Sequence, residues 1–338
     1  MSNEDDLVSV IVPAFNAERT INETLLSIRN QTHQNLEIIV VDDGSTDRTY
    51  QYCSDHSRVD NRIRMVRQQN AGVAAARNRG IEEARGDLIA PIDADDLWRP
   101  TKIARQLRAL RAAGSEVKLV YTWSALIDEN NKVVDWGDNP LFAGDVLLAL
   151  SSGNFVGNGS TALMQKSVLK EVGGYDSSLR GRQAQGCEDW SLFLKIAERA
   201  HFAVVPDYLT GYRQARNAMS RDIGQMLRSD ALVRSEMLTR HPEYRLQIKS
   251  GRHAYMDWIF RRELQDGNWS ACFKLLRDLV LKQDSRLPSA RSAAKYALRI
   301  AARISSGRSS MSLSGPQYLP FERNSAIDDN QSARHVSV

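Results

Sequence analysis

Three apolar segments decide the fold: LVSVIVPAF (residues 7–15), LEIIVVDDGSTD (36–47) and GDLIAPIDADD (86–96). Their β-branched runs predict buried strands, because strands covered on both faces read as nearly continuous apolar segments. Helical spacing of apolar residues follows them in residues 16–30, 47–54 and 72–85. Strands that alternate with helices indicate an α/β domain with a mostly parallel sheet.

The remainder of the chain is mixed and then helical. KLVYTWSALID (118–128) predicts a strand, GSTALMQKSVLKEVGGYD (159–176) a strand followed by a helix, and CEDWSLFLKIAERA (187–200) a helix. From about Asp222 the pattern is helical, and Trp258 and Phe273 are expected to pack. We predict these units: a catalytic domain (1–225) with a nucleotide-binding half (about 7–115) and an acceptor half (about 116–225), a helical extension (226–305), and a disordered tail (306–338).

Composition excludes several classes of protein. The chain has 338 residues, 42% of them hydrophobic and 25% charged, which is globular composition. Its acidic N-terminus, MSNEDDLVSV, does not resemble a secretory signal, and no apolar run reaches the ~20 residues of a membrane-spanning helix. Three widely separated cysteines argue against a disulfide scaffold. We therefore expect a cytoplasmic protein.

Charge is unevenly distributed. Residues 1–208 carry a formal charge of −6 and residues 209–338 a charge of +10. Residues 289–305 predict a basic helix in which Arg291, Lys295, Arg299 and Arg303 recur every four positions. This helix could hold the protein on the anionic inner face of a membrane, or it could lie on the acidic catalytic domain.

Polar residues follow the first two predicted strands, in VPAFN (12–16) and VVDDGSTD (40–47). Ligands of parallel α/β sheets bind beyond the carboxyl ends of the strands. The two ends could therefore hold a nucleoside base, with Asp43 accepting a hydrogen bond from a ring N–H. The alternative is an Asx turn that caps the next helix.

The third strand ends in Asp93-Ala94-Asp95-Asp96. Side chains two positions apart in an extended chain point to the same side, so Asp93 and Asp95 would present two carboxylates together. A divalent cation would remove their repulsion and could bridge a diphosphate. The alternative is a helix cap, because Asp95 or Asp96 could start a helix at Thr101.

Two further segments could carry chemistry. Glu188 and Asp189 open a predicted helix, where a carboxylate is stabilised as the anion and can accept a proton from a hydroxyl. Arg213 follows VVPDYLTG and could bind phosphate oxygens in a bidentate manner. The alternatives are ordinary helix capping and a surface arginine.

Taken together, VSVIVPAFN, QTHQNLEIIVVDDGSTDRT, NAGVAAARNRGIEEARGDLIAPIDADD, VGGYD and CEDWSLFLKI resemble glycosyltransferase family 2 in order and spacing over about residues 7–220. The resemblance implies a GT-A fold (Rossmann-like, with a mostly parallel sheet flanked by helices) and inversion at the anomeric carbon. It also implies that Pro13, Ala14 and Phe15 line the nucleoside, that Asp43 reads the base, and that Arg77 borders the nucleotide and sugar.

The same resemblance assigns the reacting groups. Asp93 would lie at the ribose and the metal, Asp95 would ligate the metal (Mn or Mg), and Asp189 would be the catalytic base. Arg213 would lie near the diphosphate, although GYRQARNAMS matches the family loop only in part. The acceptor side would include Glu188 and Trp190.

The expected activity is therefore metal-dependent transfer of a sugar from a nucleotide-diphosphate sugar to a hydroxyl of a glycan or lipid-linked glycan, in bacterial surface polysaccharide synthesis and without a nucleic-acid partner. A sugar-nucleotide nucleotidyltransferase is one alternative, but PAFNAERT (13–20) lacks the glycine-rich loop that such an enzyme needs for a triphosphate. A non-catalytic module that binds sugar nucleotides or glycans is the other. Intact Asp93, Asp95 and Asp189 argue against that module.

Overall fold

One mixed sheet organises the first two thirds of the molecule. The computed structural model describes residues 6–214, 221–265 and 267–281. Within these residues nine strands form a sheet in the order β3-β2-β1-β4-β8-β6-β9-β5, with β7 paired to β6. The strands are β1 (Val8–Ala14), β2 (Leu36–Asp42), β3 (Ile63–Arg67), β4 (Leu88–Pro91), β5 (Leu97–Trp98), β6 (Val117–Ile127), β7 (Val133–Trp136), β8 (Ala162–Gln165) and β9 (His201–Arg213).

The first half of the sheet is parallel, as the alternation of strands and helices predicts. Strands β3, β2, β1 and β4 pair in parallel, so their carboxyl ends share one edge. Both faces are buried: Val10 and Val12 pack into one hydrophobic cluster and Ile11 into the other. This double burial explains the continuous apolar runs of the sequence.

The second half is less regular than the predicted mostly parallel sheet. Strand β8 lies antiparallel between β4 and β6, while β9 runs parallel to β6. The short β5 and β7 also pair antiparallel with their neighbours. The GT-A expectation is thus confirmed as a mixed sheet flanked by helices.

The helices cover both faces of the sheet and continue beyond it. They are α1 (Ile21–Arg29), α2 (Thr49–Val59), α3 (Val73–Glu83), α4 (Lys102–Ala112), α5 (Leu147–Ser152), α6 (Lys166–Glu171), α7 (Ser178–Gly181), α8 (Glu188–Ala197), α9 (Ile223–Arg240), α10 (Arg245–Gln265) and α11 (Trp269–Leu281). Thr101 precedes α4 without a side-chain capping bond.

Helices α9–α11 form the predicted C-terminal extension as far as the structure describes it. Met226, Val233 and Met237 of α9 belong to the main hydrophobic core. Gly251 of α10 lies so close to α5 that a Cβ there would be 1.5 Å from the carbonyl oxygen of Ser152. The extension therefore packs directly on the domain that contains the sheet.

The packing and the length of the extension were both predicted from the sequence. Trp258 and Phe273, expected to pack, are about half exposed, while Ile259 and Cys272 fill the interior between α10 and α11. Residues 282–305 of the predicted extension, including the basic segment 289–305, and the predicted tail 306–338 lie outside the described residues. None of the helices in the described ranges has both the length and the hydropathy to cross a bilayer.

Candidate active site

The loops that follow β1 and β2 are joined at the carboxyl edge of the sheet. Asn16 has a positive φ of 49°, which an asparagine tolerates better than most residues. Its Oδ1 accepts a hydrogen bond from the backbone N–H of Thr46 at 2.9 Å. Pro13 and Ala14 are buried strand residues, whereas Phe15 exposes half of its side chain at this edge. Of these three predicted nucleoside contacts, only Phe15 presents a side chain to solvent.

Asp43 shapes the loop that leads into α3. Its Oδ1 accepts hydrogen bonds from Gln68 Nε2 and the backbone N–H of Ala71, both at 2.8 Å. Its Oδ2 accepts one from the backbone N–H of Gly72, also at 2.8 Å. Because a carboxylate oxygen has two acceptor positions, Oδ2 retains capacity for a further donor such as a base N–H. The base-reading role of Asp43 stays a prediction.

Arg77 joins two carboxylates that are distant in sequence. Its Nη2 donates to Asp93 Oδ1 at 2.6 Å and its Nη1 donates to Asp189 Oδ1 at 2.8 Å. The guanidinium is buried and lies 5.1 Å from the centre of the Tyr175 ring. Burial lowers the pKa of Arg77, but the charges of Asp189 and Asp93 outweigh burial and hold it well above its usual value. Arg77 therefore stays positively charged between the two carboxylates.

Asp189 is the second residue of α8 and is held from two sides. Besides the bond from Arg77, its Oδ2 accepts one from the backbone N–H of Gly159 at 3.1 Å. Its side chain remains 18% exposed. Burial raises the pKa of Asp189 to about 7; the charge of Arg77 opposes this, and the charges of Glu188 and Asp93 add to it. A carboxylate with a pKa near neutrality can accept and release a proton under physiological conditions.

The loop before β8 completes this site, and the sequence analysis did not identify it. Asn158 Nδ2 and Ser160 Oγ donate to Asp96 Oδ2 at 3.1 and 2.6 Å, and the backbone N–H of Asp93 donates to Ser160 Oγ at 3.0 Å. A Cβ at Gly159 would lie 2.9 Å from Asp189 Oδ1. The polar run Asn158-Gly159-Ser160 before an apolar strand was the only available signal.

Asp95 and Asp96 have different environments. Asp96 is fully buried, and its Oδ1 also accepts a hydrogen bond from the backbone N–H of Arg213 at 3.0 Å. Burial raises the pKa of Asp95 to about 6, and the charge of Asp93 adds to this. The charges of Arg213 and Arg77 and a hydrogen bond from the backbone N–H of Asp95 oppose this rise. Neither aspartate caps α4, so the capping alternative for this motif is wrong.

A buried carboxylate next to a second one has the chemistry that a hard divalent cation satisfies. Asp95 and Asp93 therefore fit the predicted metal ligands in donor type. The described residues contain no group of three or more His, Cys, Asp or Glu arranged to hold an ion.

Arg213 is engaged within the protein. Its Nε donates to the carbonyl oxygen of Asp95 at 2.7 Å and its Nη1 donates to that of Asp128 at 3.1 Å. Its Nη2 donates to Glu23 Oε2 at 2.9 Å, and the Glu23 side chain is partly exposed. Arg213 thus fixes the turn that carries Asp95. A diphosphate contact would require exchange of Glu23, and that role stays a prediction.

The two residues expected on the acceptor side are not equivalent. Glu188 lines a cleft together with Gly72, Arg180 and Gln185, and its Oε2 accepts a hydrogen bond from the backbone N–H of Gly186. Trp190 is buried, and its Nε1 donates to the carbonyl oxygen of Leu150 at 2.9 Å. The assignment of Trp190 to the acceptor side is therefore wrong: its ring faces the core.

Comparison with protein families supplies an independent line of information. The family model "Glycosyl transferase family 2" matches residues 9–173. An uncharacterized glycosyltransferase of Haemophilus influenzae is 32% identical over 222 residues, covering 63% of this chain and 67% of that protein. The putative glycosyltransferase EpsH of Bacillus subtilis is 41% identical over 133 residues. The putative teichuronic acid biosynthesis glycosyltransferase TuaG of the same organism is 42% identical over 108 residues.

The shares of length differ among these relatives. The matched part of this chain is 39% for EpsH and 32% for TuaG, and it spans only 38% and 43% of their own lengths. Among solved structures, Staphylococcus aureus TarS 1–349 in complex with UDP-GlcNAc superposes with a TM-score of 0.59 at 18% identity, covering 80% of each chain. This likeness concerns the fold.

Proposed function

The chain belongs to glycosyltransferase family 2, and we propose that it transfers a sugar from a nucleotide-diphosphate sugar to an acceptor hydroxyl with inversion at the anomeric carbon. The observation that carries this proposal is the Asp189 carboxylate. It is partly open to solvent, has a pKa raised to about 7 by burial, and is fixed by Arg77 and Gly159. That is the environment of a general base.

The proposed reaction is one displacement. A free lone pair of the Asp189 carboxylate accepts the proton of the acceptor hydroxyl, and the hydroxyl oxygen forms a bond to the anomeric carbon. The bond from that carbon to the diphosphate oxygen breaks on the opposite face. The products are the inverted glycoside and a nucleoside diphosphate, and the proton leaves Asp189 to solvent. Arg77 keeps the carboxylate oriented throughout, because it is buried and held by two anions.

Asp95 and Asp93 would hold a divalent Mn or Mg ion, since their carboxylates supply the oxygen donors that such ions prefer. When bound, the ion neutralises charge on the departing diphosphate. Arg213 supports this site indirectly, because its bond to the Asp95 carbonyl oxygen fixes the turn. Asp43 and Phe15, at the ends of β2 and β1, are the proposed contacts for the base.

The relatives support the proposed donor and acceptor classes. TarS structures are described in complex with UDP and with UDP-GlcNAc, which supports a uridine nucleotide sugar as the first donor to test. TuaG is named for teichuronic acid biosynthesis, which supports an acceptor in polysaccharide synthesis.

The proposed location is the cytoplasm, with the protein held at the membrane surface through residues 289–305. Flotation with anionic vesicles at low salt, with and without these residues, tests it.

A donor screen tests the function directly. UDP-, dTDP- and GDP-sugars are incubated with the full-length protein and a glycan mixture, with and without manganese, and released nucleoside diphosphate is measured. We expect release from one nucleotide class, stimulated by metal. Absence of release from every donor contradicts the proposal.

Asp95→Asn tests the metal assignment. We expect loss of transfer with an intact fold, because the substitution removes a charged oxygen ligand. Asp87→Asn is the matched control, since Asp87 is an exposed aspartate at the opposite end of β4. It should retain activity. Full activity of Asp95→Asn at sub-millimolar metal would show that Asp95 is not a ligand.

A further inference from the structure

The segment between β7 and α5 has its backbone fixed by aromatic side chains from the sheet. Tyr208 Oη donates to the carbonyl oxygen of Gly137 at 3.0 Å, and Trp123 Nε1 donates to that of Pro140 at 2.9 Å. Tyr121 Oη donates to that of Phe142 at 2.9 Å. Three hydrogen bonds from aromatic side chains of the sheet thus fix the backbone of residues 137–142. A segment held in this way presents its outer side chains in a defined arrangement.

Those outer side chains are large and apolar. Leu141 is 69% exposed, Phe142 48% and Trp136 44%. The rings of Phe142 and Phe155 lie 4.8 Å apart, and Trp136 contacts Tyr208 edge-on at 4.8 Å. We call Trp136, Leu141, Phe142 and Phe155 the aromatic platform. Contiguous exposed apolar side chains mark a binding surface more often than isolated ones do.

The chain itself and contacts at Ser124 connect the aromatic platform to the candidate active site. Phe155 lies four residues before Gly159, whose backbone N–H donates to Asp189, so the two residues are at most about 14 Å apart along the chain. Gly157, between them, lies against Ser124: a Cβ at Gly157 would be 3.8 Å from Ser124 Oγ. The carbonyl oxygen of Ser124 accepts a hydrogen bond from the backbone N–H of Gly137 at 3.2 Å. The platform segment and the loop that holds the carboxylate of Asp189 therefore both contact Ser124.

The charge of this surface restricts what it can bind. From residue 133 to residue 159 the chain has three acidic residues, Asp135, Asp138 and Asp145, and no lysine or arginine. All three are exposed. Such a surface repels anionic lipid headgroups, phosphates and uronates. Carboxylates do accept hydrogen bonds from neutral hydroxyls, and aromatic faces pack against apolar ring surfaces.

We propose that the aromatic platform is the acceptor subsite and that it binds a neutral glycan chain. The sugar rings lie on Trp136 and Phe142, their hydroxyls donate to Asp138, and the terminal hydroxyl reaches Asp189. This inference rests on the proposed function and adds the class of acceptor to it. An anionic polysaccharide, a membrane surface and a second copy of the chain are the competing occupants, and the binding experiment distinguishes them.

Binding of hexasaccharides to the full-length protein tests the inference. The neutral probes are the hexamers of glucose and of N-acetylglucosamine, and the anionic probe is the hexamer of galacturonic acid, measured by calorimetry. We expect at least one neutral hexamer to bind more tightly than the anionic one. Trp136→Ala with Phe142→Ala should weaken that binding by about tenfold or more, the scale of removing aromatic anchors.

The matched control is Trp258→Ala with Phe273→Ala, because these residues are similarly exposed but lie on α10 and α11. It should leave hexamer binding unchanged. The inference is overturned if no neutral hexamer binds, if the anionic hexamer binds as well, or if both double variants have the same effect. It is also overturned if only the platform variant changes the oligomeric mass or the binding to anionic vesicles.

Donor binding separates this inference from the proposed function. The wild-type protein is titrated with the panel of nucleotide sugars in the same preparation. Donor binding without platform-dependent hexamer binding overturns the acceptor subsite alone, whereas absence of donor binding overturns the proposed function.

Discussion

Two buried arginines of the molecule have similar surroundings but different roles. Arg77 of α3 and Arg234 of α9 each lie over an aromatic ring, 5.1 Å from the centre of Tyr175 and 4.7 Å from that of Trp190. Each pairs with carboxylate at 2.8 Å or less. By burial and pairing alone they could not be told apart.

The carboxylate partners make the difference. Asp230, the partner of Arg234, is one turn away on the same helix and only 2% exposed. Arg234 also donates to the carbonyl oxygens of Ser152 and Ile248, which ties α9 to α5 and α10. Asp93 and Asp189, the partners of Arg77, come from the loop after β4 and from the first turn of α8, and they are 27% and 18% exposed. A substrate can reach the second cluster and not the first, so the first is structural.

The largest expected effect is on stability, at the closed cluster. Arg234→Met leaves Asp230 buried without its main partner, which should cost about 3–5 kcal/mol in the free energy of unfolding. Arg240→Met, on the same helix, breaks a partly exposed pair with Glu198 and should cost less than about 1 kcal/mol. Denaturant unfolding measures both. A loss of turnover per folded molecule in Arg234→Met would break the contrast between the clusters.

The open cluster should respond in activity. Asp189→Asn keeps an oxygen that can accept from Gly159 but removes the base, so turnover should fall about 100-fold or more. Donor and metal binding should stay nearly unchanged. Initial rates and a donor titration measure the two quantities separately. If donor affinity collapses instead, Asp189 belongs to the nucleotide or metal site.

The sequence predicted the parallel half of the fold well and the second half less well. Strands β1, β2 and β4 are buried on both faces, which leaves continuous apolar runs. Strand β7 is mostly exposed and β9 contains Pro206 and Gly211, so neither has such a run. The antiparallel insertion of β8 depends on how distant segments pair, and no local pattern encodes that pairing.

The candidate site shows the same division. Asp43, Asp93 and Asp95 follow strand ends, and that rule located them. Arg77 bridges Asp93 and Asp189, which lie 16 and 112 positions after it in the sequence. No local pattern reveals contacts between residues so far apart. Trp190 was misassigned because it is next to Asp189 in sequence, although consecutive helical residues point in directions about 100° apart.

The pH dependence of turnover sharpens the contrast further. Burial raises the pKa of Asp189 to about 7, and a base must be deprotonated to act. Turnover should therefore rise about tenfold per pH unit below pH 7 and level off above it. The residual activity of Asp189→Asn should lack this rise. A wild-type profile that is flat between about pH 5 and 7 would contradict the assignment of Asp189 as the base.

Lys102 extends the comparison to a buried basic side chain with no carboxylate partner among the described residues. It is fully buried, lies 4.1 Å from the centre of the Trp98 ring, and donates to Gln106 Oε1 at 2.8 Å; no carboxylate of the described residues pairs with it. Burial lowers its pKa well below the usual value. Over the interval between that lowered pKa and about 10.4, the unfolded chain binds more protons than the folded one. The free energy of unfolding should therefore rise with pH over that interval, by up to about 1.4 kcal/mol per pH unit, and this rise should disappear in Lys102→Met.

Lys118→Met is the matched control, since Lys118 donates to Gln165 at 3.0 Å but is only partly buried. It should keep the wild-type slope. Unfolding free energies measured between about pH 7 and pH 10 decide the matter. Equal slopes in Lys102→Met and the wild type would mean that Lys102 gains its proton without cost to the fold, and that an aromatic face and an amide suffice to hold a buried cation.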